Sequence, residues 1–94
     1  MDMAYNGSDF RIGTRVIVQS RNIVCSEKVD GHWMNYHPNM IGEVVAKLVL
    51  APQAILWTGH YREGYWDAEI SEYTGDCPVG TLLHPKTGEI IKSV

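Results

Sequence analysis

Turn-forming residues recur along the chain about every 8 to 12 residues, and this spacing limits every regular element to a short length. The clusters lie at residues 12–14, 26–31, 59–64, 74–78 and 85–88, and Pro38, Gly42 and Pro52 supply the breaks between the second and third clusters. No helix is assured between such breaks, whereas short strands fit between them. We therefore expect a mainly β chain, folded as a small barrel or as a compact antiparallel sandwich with long aromatic loops.

Two apolar runs carry the strongest strand signals. Arg15–Gln19 is β-branched and follows a glycine turn, which predicts a strand. Residues 40–50 are ambiguous, because Glu43 and Lys47 have the i,i+4 spacing of a helical ion pair while the valines favour a strand. The near-continuous apolar run suits a strand covered on both faces, so we predict a strand at the centre of the core.

Two hairpins are predicted in the second half of the chain. Residues 54–58 and 65–70 are strand-like runs, and residues 59–64 form an aromatic tip between them. Residues 81–84 and 89–92 predict a final hairpin, with a glycine in its turn that can take a left-handed conformation.

Size and charge limit the organisation of the chain and its partners. Ninety-four residues are enough for one small core, so we expect a single β domain, which we place at residues 11–94. We expect residues 1–10 to form a flexible leader. The formal net charge of −3 provides no global basic field for a polyanion, which argues against nonspecific DNA binding. No signal peptide is recognisable, and no run reaches the ~18 to 20 apolar residues that span a bilayer, so we expect a cytoplasmic location without membrane contact.

One resemblance to known folds is present. The segment Ile12-Gly13-Thr14-Arg15-Val16-Ile17-Val18, followed after a variable loop by Met40-Ile41-Gly42-Glu43-Val44-Val45, resembles the opening of SH3-like small barrels. In those folds a glycine turn starts the first strand, and a second glycine precedes the strand that packs against it. The spacing is similar to that of the KOW-type, photosystem-accessory and ferredoxin–thioredoxin reductase variable-chain barrels, and of the nitrile hydratase beta-chain barrel.

The resemblance covers about a third of the chain and implies a docking scaffold, used as an accessory subunit or as a reader of a partner. It implies no activity, since the chain lacks the cysteine cluster that holds metal in the other nitrile hydratase subunit.

Aromatic residues crowd the middle of the chain, where they lie beside histidine and arginine. Tyr, Trp and Arg dominate binding hot spots, so this composition predicts a protein-binding face built from an ordered loop at residues 32–39 and from the aromatic hairpin. Its members are His32, Trp33, Tyr36, His37, His60, Tyr61, Arg62 and Tyr65. The competing interpretation is that large side chains fill the core and close its ends, which we favour for Trp57 and Trp66.

Metal binding and catalysis lack a matching motif. The histidines, Cys25 and Cys77 supply ligand types for zinc, but no Cys-x-x-Cys or His-x-x-x-His pair is present. Neither cysteine has the signature of an activated nucleophile, and Asp67 with Glu69 suits a solvated strand face better than a catalytic carboxylate pair. We expect no enzyme activity, no metal and no cofactor.

Three functional hypotheses follow. The first is a non-enzymatic module that binds another protein, as accessory subunit or inhibitor of a larger protein or complex; the size suits a phage or mobile-element inhibitor as well as a host subunit. The second is an RNA or single-stranded nucleic-acid binding barrel, since Arg11, Arg15, Arg21 and Lys28 concentrate positive charge near the first strands. The third is a small metal-binding protein or enzyme. A homodimer formed through an open strand edge also fits a small β chain.

Overall fold

The computed structural model describes residues 10–48, 53–59, 62–66 and 70–93, and in these ranges the chain forms nine strands and no helix. The strands are β1 (Arg15–Gln19), β2 (Cys25–Val29), β3 (His32–Tyr36), β4 (Asn39–Lys47), β5 (Gln53–Trp57), β6 (Arg62–Trp66), β7 (Ile70–Glu72), β8 (Leu82–Leu83) and β9 (Ile90–Lys92). The mainly β class predicted from the turn spacing is confirmed. In the described ranges no helix is long and apolar enough to cross a membrane.

Seven of the described strands form one antiparallel sheet, while β2 and β3 form a separate two-stranded sheet. The main order is β6-β5-β4-β1-β7; β8 joins β4, and β9 pairs with β8. Since β6 and β7 stand at opposite ends of this order, the described strands make an open sheet and no closed barrel. The resemblance to SH3-like barrels stays a prediction.

Strand β4 organises the larger sheet, as expected for the central strand of the core. One edge of β4 pairs with β1, from Asn39 opposite Gln19 to Glu43 opposite Arg15. Its other edge pairs first with β8 and then, beyond Gly42, with β5. Over residues 40–47 the strand alternative is therefore correct and the helical one is wrong, because a strand buries the apolar residues against neighbours on both edges. Residues 49 and 50 of the predicted segment lie outside the described residues.

In β1 the core follows from alternation along the strand, whereas β4 and β8 bury consecutive residues. In β1, Val16 and Val18 are buried, while the residues between and beside them are half-buried or exposed. The buried cluster consists of Val16, Val18, Met40, Val44, Ala54, Leu56, Ile70 and Leu82. Phe10 and Ile23 pack against this cluster from outside the strands.

The ordered loop expected at residues 32–39 is wrong, because residues 32–36 form β3 and Asn39 begins β4. The cause is the turn before it. Asp30 and Gly31 both have positive φ, 50° and 81°, as in the tight two-residue hairpin turns that Asp-Gly favours. This turn folds β2 back onto β3 in antiparallel register, with Val29 opposite His32.

The two predicted hairpins are present. Strands β5 and β6 pair from Trp57 opposite Arg62 to Gln53 opposite Trp66, and β8 pairs with β9. Gly88, in the last turn, has a φ of 75°. The tip predicted at residues 59–64 is wrong in part, because β6 already begins at Arg62. Of the strand predicted over residues 65–70, the described residues 65–66 belong to β6 and Ile70 begins β7.

Part of the sequence predictions lies outside the described residues. This is so for the leader at residues 1–9, for residues 67–69, and for His60 and Tyr61 in the aromatic tip. The leader's last residue, Phe10, is half-buried against the core.

Candidate functional site

The β2–β3 hairpin has two unlike faces, which the register defines. Cross-strand partners share a face, so Cys25, Glu27, Val29, His32, Met34 and Tyr36 lie on one side of the hairpin. The opposite side carries Ser26, Lys28, Trp33 and Asn35. On that opposite side the Ser26 hydroxyl donates a 2.6 Å hydrogen bond to the Asn35 side-chain oxygen. The first face is the one that meets the rest of the protein.

This face of the hairpin packs against His84, the residue that follows β8. The ring of Tyr36 lies 5.0 Å from the His84 ring, centroid to centroid, at a tilt of 43°. The Glu27 carboxylate lies 3.4 Å from His84 Nε2. The aromatic and polar contacts together join the two-stranded sheet to the end of the larger one.

The turn after β8 determines which nitrogen of His84 carries the proton. His84 Nδ1 lies 3.1 Å from the backbone nitrogen of Lys86 and 3.3 Å from that of Thr87. A backbone N–H can only donate, so Nδ1 accepts and the proton of the neutral ring sits on Nε2. Nε2–H therefore points at Glu27 and can donate to its carboxylate.

A groove runs along this junction. Its first part has a volume of about 300 Å³ and is lined by Glu27, Val29, Met34, Asn35, Tyr36, His84, Pro85 and Lys86. A second part of about 460 Å³ shares Glu27, Tyr36, His84 and Lys86 with the first and adds Thr87, Glu89, Ile90 and Ile91. We call the two parts together the hairpin groove.

Large apolar side chains are exposed in both parts of the hairpin groove. In the first part, 42% of Val29 and 53% of Met34 are accessible to solvent. In the second part, Ile90 is 56% exposed and Ile91 is 39% exposed. Single exposed apolar residues are ordinary, but a group that rims a groove is typical of an interaction site. Polar groups at the base of the groove, from Glu27 and His84, add directional hydrogen bonding.

The structure separates the residues predicted for the binding face. His32 and Trp33 are exposed on β3, with 70% of Trp33 accessible, and Tyr36 is half-buried against His84. His37 is also half-buried, with Nδ1 2.8 Å from the Ile23 carbonyl oxygen. Arg62, which is exposed, and Tyr65 lie in β6 of the larger sheet.

Several groove residues were missed by sequence reasoning. Glu27, Val29, His84 and Ile90 belong to it, yet none was singled out for binding, whereas Met34 lay within the predicted binding segment at residues 32–39. The Asp-Gly pair between two five-residue runs was the available signal for the hairpin. No sequence signal shows that this hairpin rests on the residue after β8.

A second cluster surrounds Tyr73. The Arg15 guanidinium carbon lies 5.4 Å from the centre of the Tyr73 ring, and Arg15 Nη1 donates to the Gly75 carbonyl at 3.5 Å. The Cys77 backbone N–H donates to the Tyr73 hydroxyl at 3.0 Å. The backbone of the loop at residues 73–77 thus contacts both the Tyr73 hydroxyl and the Arg15 side chain that lies over the Tyr73 ring.

The pKa values of two tyrosines are raised in these clusters. Burial is the main cause of the raised pKa of Tyr36, and the negative charges of Cys25 and Glu27 raise this pKa further. A side-chain hydrogen bond with Cys77 is the main cause for the raised pKa of Tyr73, and the nearby Arg15 charge acts in the opposite direction.

The two cysteines are not joined in a disulfide bond, and both Cys25 and Cys77 are free, half-buried thiols. Among the residues that the structure describes, no three His, Cys, Asp or Glu side chains are grouped as metal ligands. Arg21, one of the predicted basic residues, donates from Nη2 to the Gly64 carbonyl, so its guanidinium is engaged within the protein.

Comparison of the chain with known protein families, with curated proteins and with solved structures finds no match.

Proposed function

We propose that this protein is a non-enzymatic module that binds an extended segment of another protein in the hairpin groove, as an accessory subunit or inhibitor of that protein. The observation that carries the proposal is the exposed apolar lining of the groove, with Val29 and Met34 in its first part and Ile90 and Ile91 in its second. Burying such side chains provides about 25 cal/mol per Å² of apolar surface.

The form of the partner follows from β9. Among the described strands β9 pairs with β8 alone, so one edge of β9 offers its backbone groups to a further strand. An extended segment can hydrogen-bond to such an edge while its alternate side chains enter neighbouring pockets. The first part of the groove, at about 300 Å³, accommodates apolar side chains of that segment.

Polar groups in the groove favour a partner segment that carries a hydrogen-bond donor. Glu27 is half-exposed and its carboxylate has one 3.4 Å contact with His84, which leaves acceptor capacity for an incoming N–H or hydroxyl. An extended segment with apolar side chains and a neighbouring donor therefore fits both the rim and the base of the groove.

The test uses a photo-reactive amino acid at Ile90 to cross-link the partner in cells, followed by binding measurements with that partner in purified form. We expect Ile90→Asp to weaken binding by about tenfold or more, because a charge then occupies the apolar rim. The matched control is Ile12→Asp, since Ile12 is 65% exposed and does not line the groove.

Equal affinity of the two variants would show that the groove is not the binding site. If the cross-linked partner is instead a nucleic acid, with affinity that falls steeply with salt and is lost in Arg15→Ala, the nucleic-acid hypothesis replaces this one.

A further inference from the structure

Among the strands that the structure describes, none lies beside the outer edge of β3. In the described part of the chain β3 pairs with β2 and β2 pairs with β3, so each has one free edge. A free edge presents unpaired N–H and C=O groups and is a template for another strand. A two-stranded hairpin by itself is also only marginally stable in water, so additional pairing would stabilise it.

The turn fixes which backbone groups face outward. In a hairpin with a two-residue turn, the residues that flank the turn, Val29 and His32, form a hydrogen-bonded pair. Hydrogen-bonded pairs then alternate with non-bonded pairs along the ladder. On β3 the N–H and C=O groups of Trp33 and Asn35 therefore point away from β2.

The β3 edge lacks the usual protection against pairing. Natural edge strands carry charged residues, proline or a bulge, whereas β3 reads His-Trp-Met-Asn-Tyr and pairs with β2 without a register shift. Its central residues are also exposed, with 70% of Trp33 and 53% of Met34 accessible. The β2 edge differs, because it contains Glu27 and Lys28.

We propose that β3 pairs with β3 of a second copy of this chain, in antiparallel orientation about a two-fold axis at Met34. Met34 then faces the partner subunit's Met34, and Trp33 faces the partner subunit's Asn35. The outward groups match, since Trp33 and Asn35 of each copy can exchange N–H to C=O hydrogen bonds with their counterparts. The resulting four-stranded sheet has the order β2-β3-β3-β2.

Charge explains why a second copy suits β3 and does not suit β2. Two-fold pairing of β3 places histidine opposite tyrosine at the ends of the strand and opposes no two residues of like charge. The same pairing of β2 places Glu27 opposite the partner subunit's Glu27, and like charges directly opposed are destabilising. Trp33 gains a further contact, because the partner subunit's Trp33 becomes its diagonal neighbour on one face of the sheet.

This dimer does not require the protein-binding role proposed above, although Met34 belongs both to β3 and to the hairpin groove. The β3 edge lies between the two faces of the hairpin, and the contacts with His84 stay within one subunit. Failure of partner binding at Ile90 and failure of dimerisation at Met34 are therefore separate results.

Sedimentation equilibrium over a dilution series tests the dimer by charge exchange at Met34. We expect the wild-type protein to form dimers. Met34→Lys and Met34→Glu are each expected to weaken the dimer by about tenfold or more, because like charges meet at the axis. A mixture of the two variants should recover a one-to-one dimer. A monomeric wild-type protein, or dimers that persist equally in both variants, would overturn the proposal.

Proline substitutions give a second test that does not depend on charge. Asn35→Pro removes an outward N–H that the hairpin does not use, so the hairpin is retained while the β3 edge is blocked. The matched control is Ser26→Pro, because Ser26 faces Asn35 across the hairpin and its N–H points outward on the β2 edge. We expect only Asn35→Pro to give monomers. If both or neither do so, the dimer does not form through β3.

Discussion

The Tyr36 ring contacts the His84 ring with centroids 5.0 Å apart and a tilt of 43°, and this contact joins two sheets that share no strand. Tyr36 ends β3, whereas His84 follows β8, so residues distant in sequence meet here. The contact also lies at the base of the hairpin groove.

A double-mutant cycle should detect this contact. We expect Tyr36→Leu and His84→Ala to be non-additive in the free energy of unfolding, with a coupling of about 1 kcal/mol, since aromatic pairs contribute this much beyond buried area. Urea denaturation of the four proteins measures it. Tyr36→Leu combined with Ile12→Ala serves as the control and should be additive; additivity in the His84 cycle would show that the ring contact is not energetically significant.

The proton of neutral His84 should reside on Nε2. Its Nδ1 accepts from the backbone nitrogens of Lys86 and Thr87, at 3.1 and 3.3 Å. Nitrogen chemical shifts of the imidazole, recorded above the pH at which the ring is protonated, distinguish the two tautomers. A spectrum of the Nδ1–H tautomer would contradict the turn geometry described for residues 84–87.

The stability of the protein should fall at alkaline pH. The pKa values of Tyr36 and Tyr73 are raised in the folded protein. The folded state thus holds these protons more tightly than the unfolded state. Their stabilising effect is complete below the unfolded-state tyrosine pKa of about 10 and is lost as the pH rises through the higher folded-state values.

Cys77→Ala separates the two tyrosines in this titration. It removes the largest cause of the raised Tyr73 pKa, so that pKa should fall, while the Tyr36 pKa should be unchanged. Tyrosine ring-carbon shifts followed by NMR against pH report each residue, with Tyr73→Phe as the assignment control. An unchanged Tyr73 titration in Cys77→Ala would exclude the cysteine as the cause.

Two glycines with similar backbone angles should respond differently to alanine. Gly59 and Gly88 have φ values of 87° and 75°, so either substitution imposes left-handed strain of about 1 to 2 kcal/mol. A Cβ at Gly59 would also lie 3.1 Å from the Gly80 Cα, whereas a Cβ at Gly88 meets no atom of the described neighbouring residues within 4 Å. Thermal unfolding should show that Gly59→Ala costs more than Gly88→Ala. Equal costs would mean that the Gly80 segment moves aside freely.

Local sequence patterns were sufficient for several elements. Arg15–Gln19 is β1 at the bounds predicted, because a β-branched run after a glycine turn has few alternatives. The final hairpin was also predicted, since a turn with a left-handed glycine separates two short runs. The prediction of a loop at residues 32–36 was wrong. Both faces of β3 are largely exposed, so its apolar and polar residues do not alternate and the sequence shows no strand periodicity.

The sequence by itself determined the mainly β class and the central position of β4, because turn spacing and apolar runs act within a few residues. Only the tertiary structure decided that the hairpin contacts His84 and that Met34 and Ile90 line adjoining parts of one groove. The physical reason is distance along the chain. Packing between sheets depends on how whole elements fit together, and no local propensity records which side chains, more than fifty residues apart as Glu27 and His84 are, will meet.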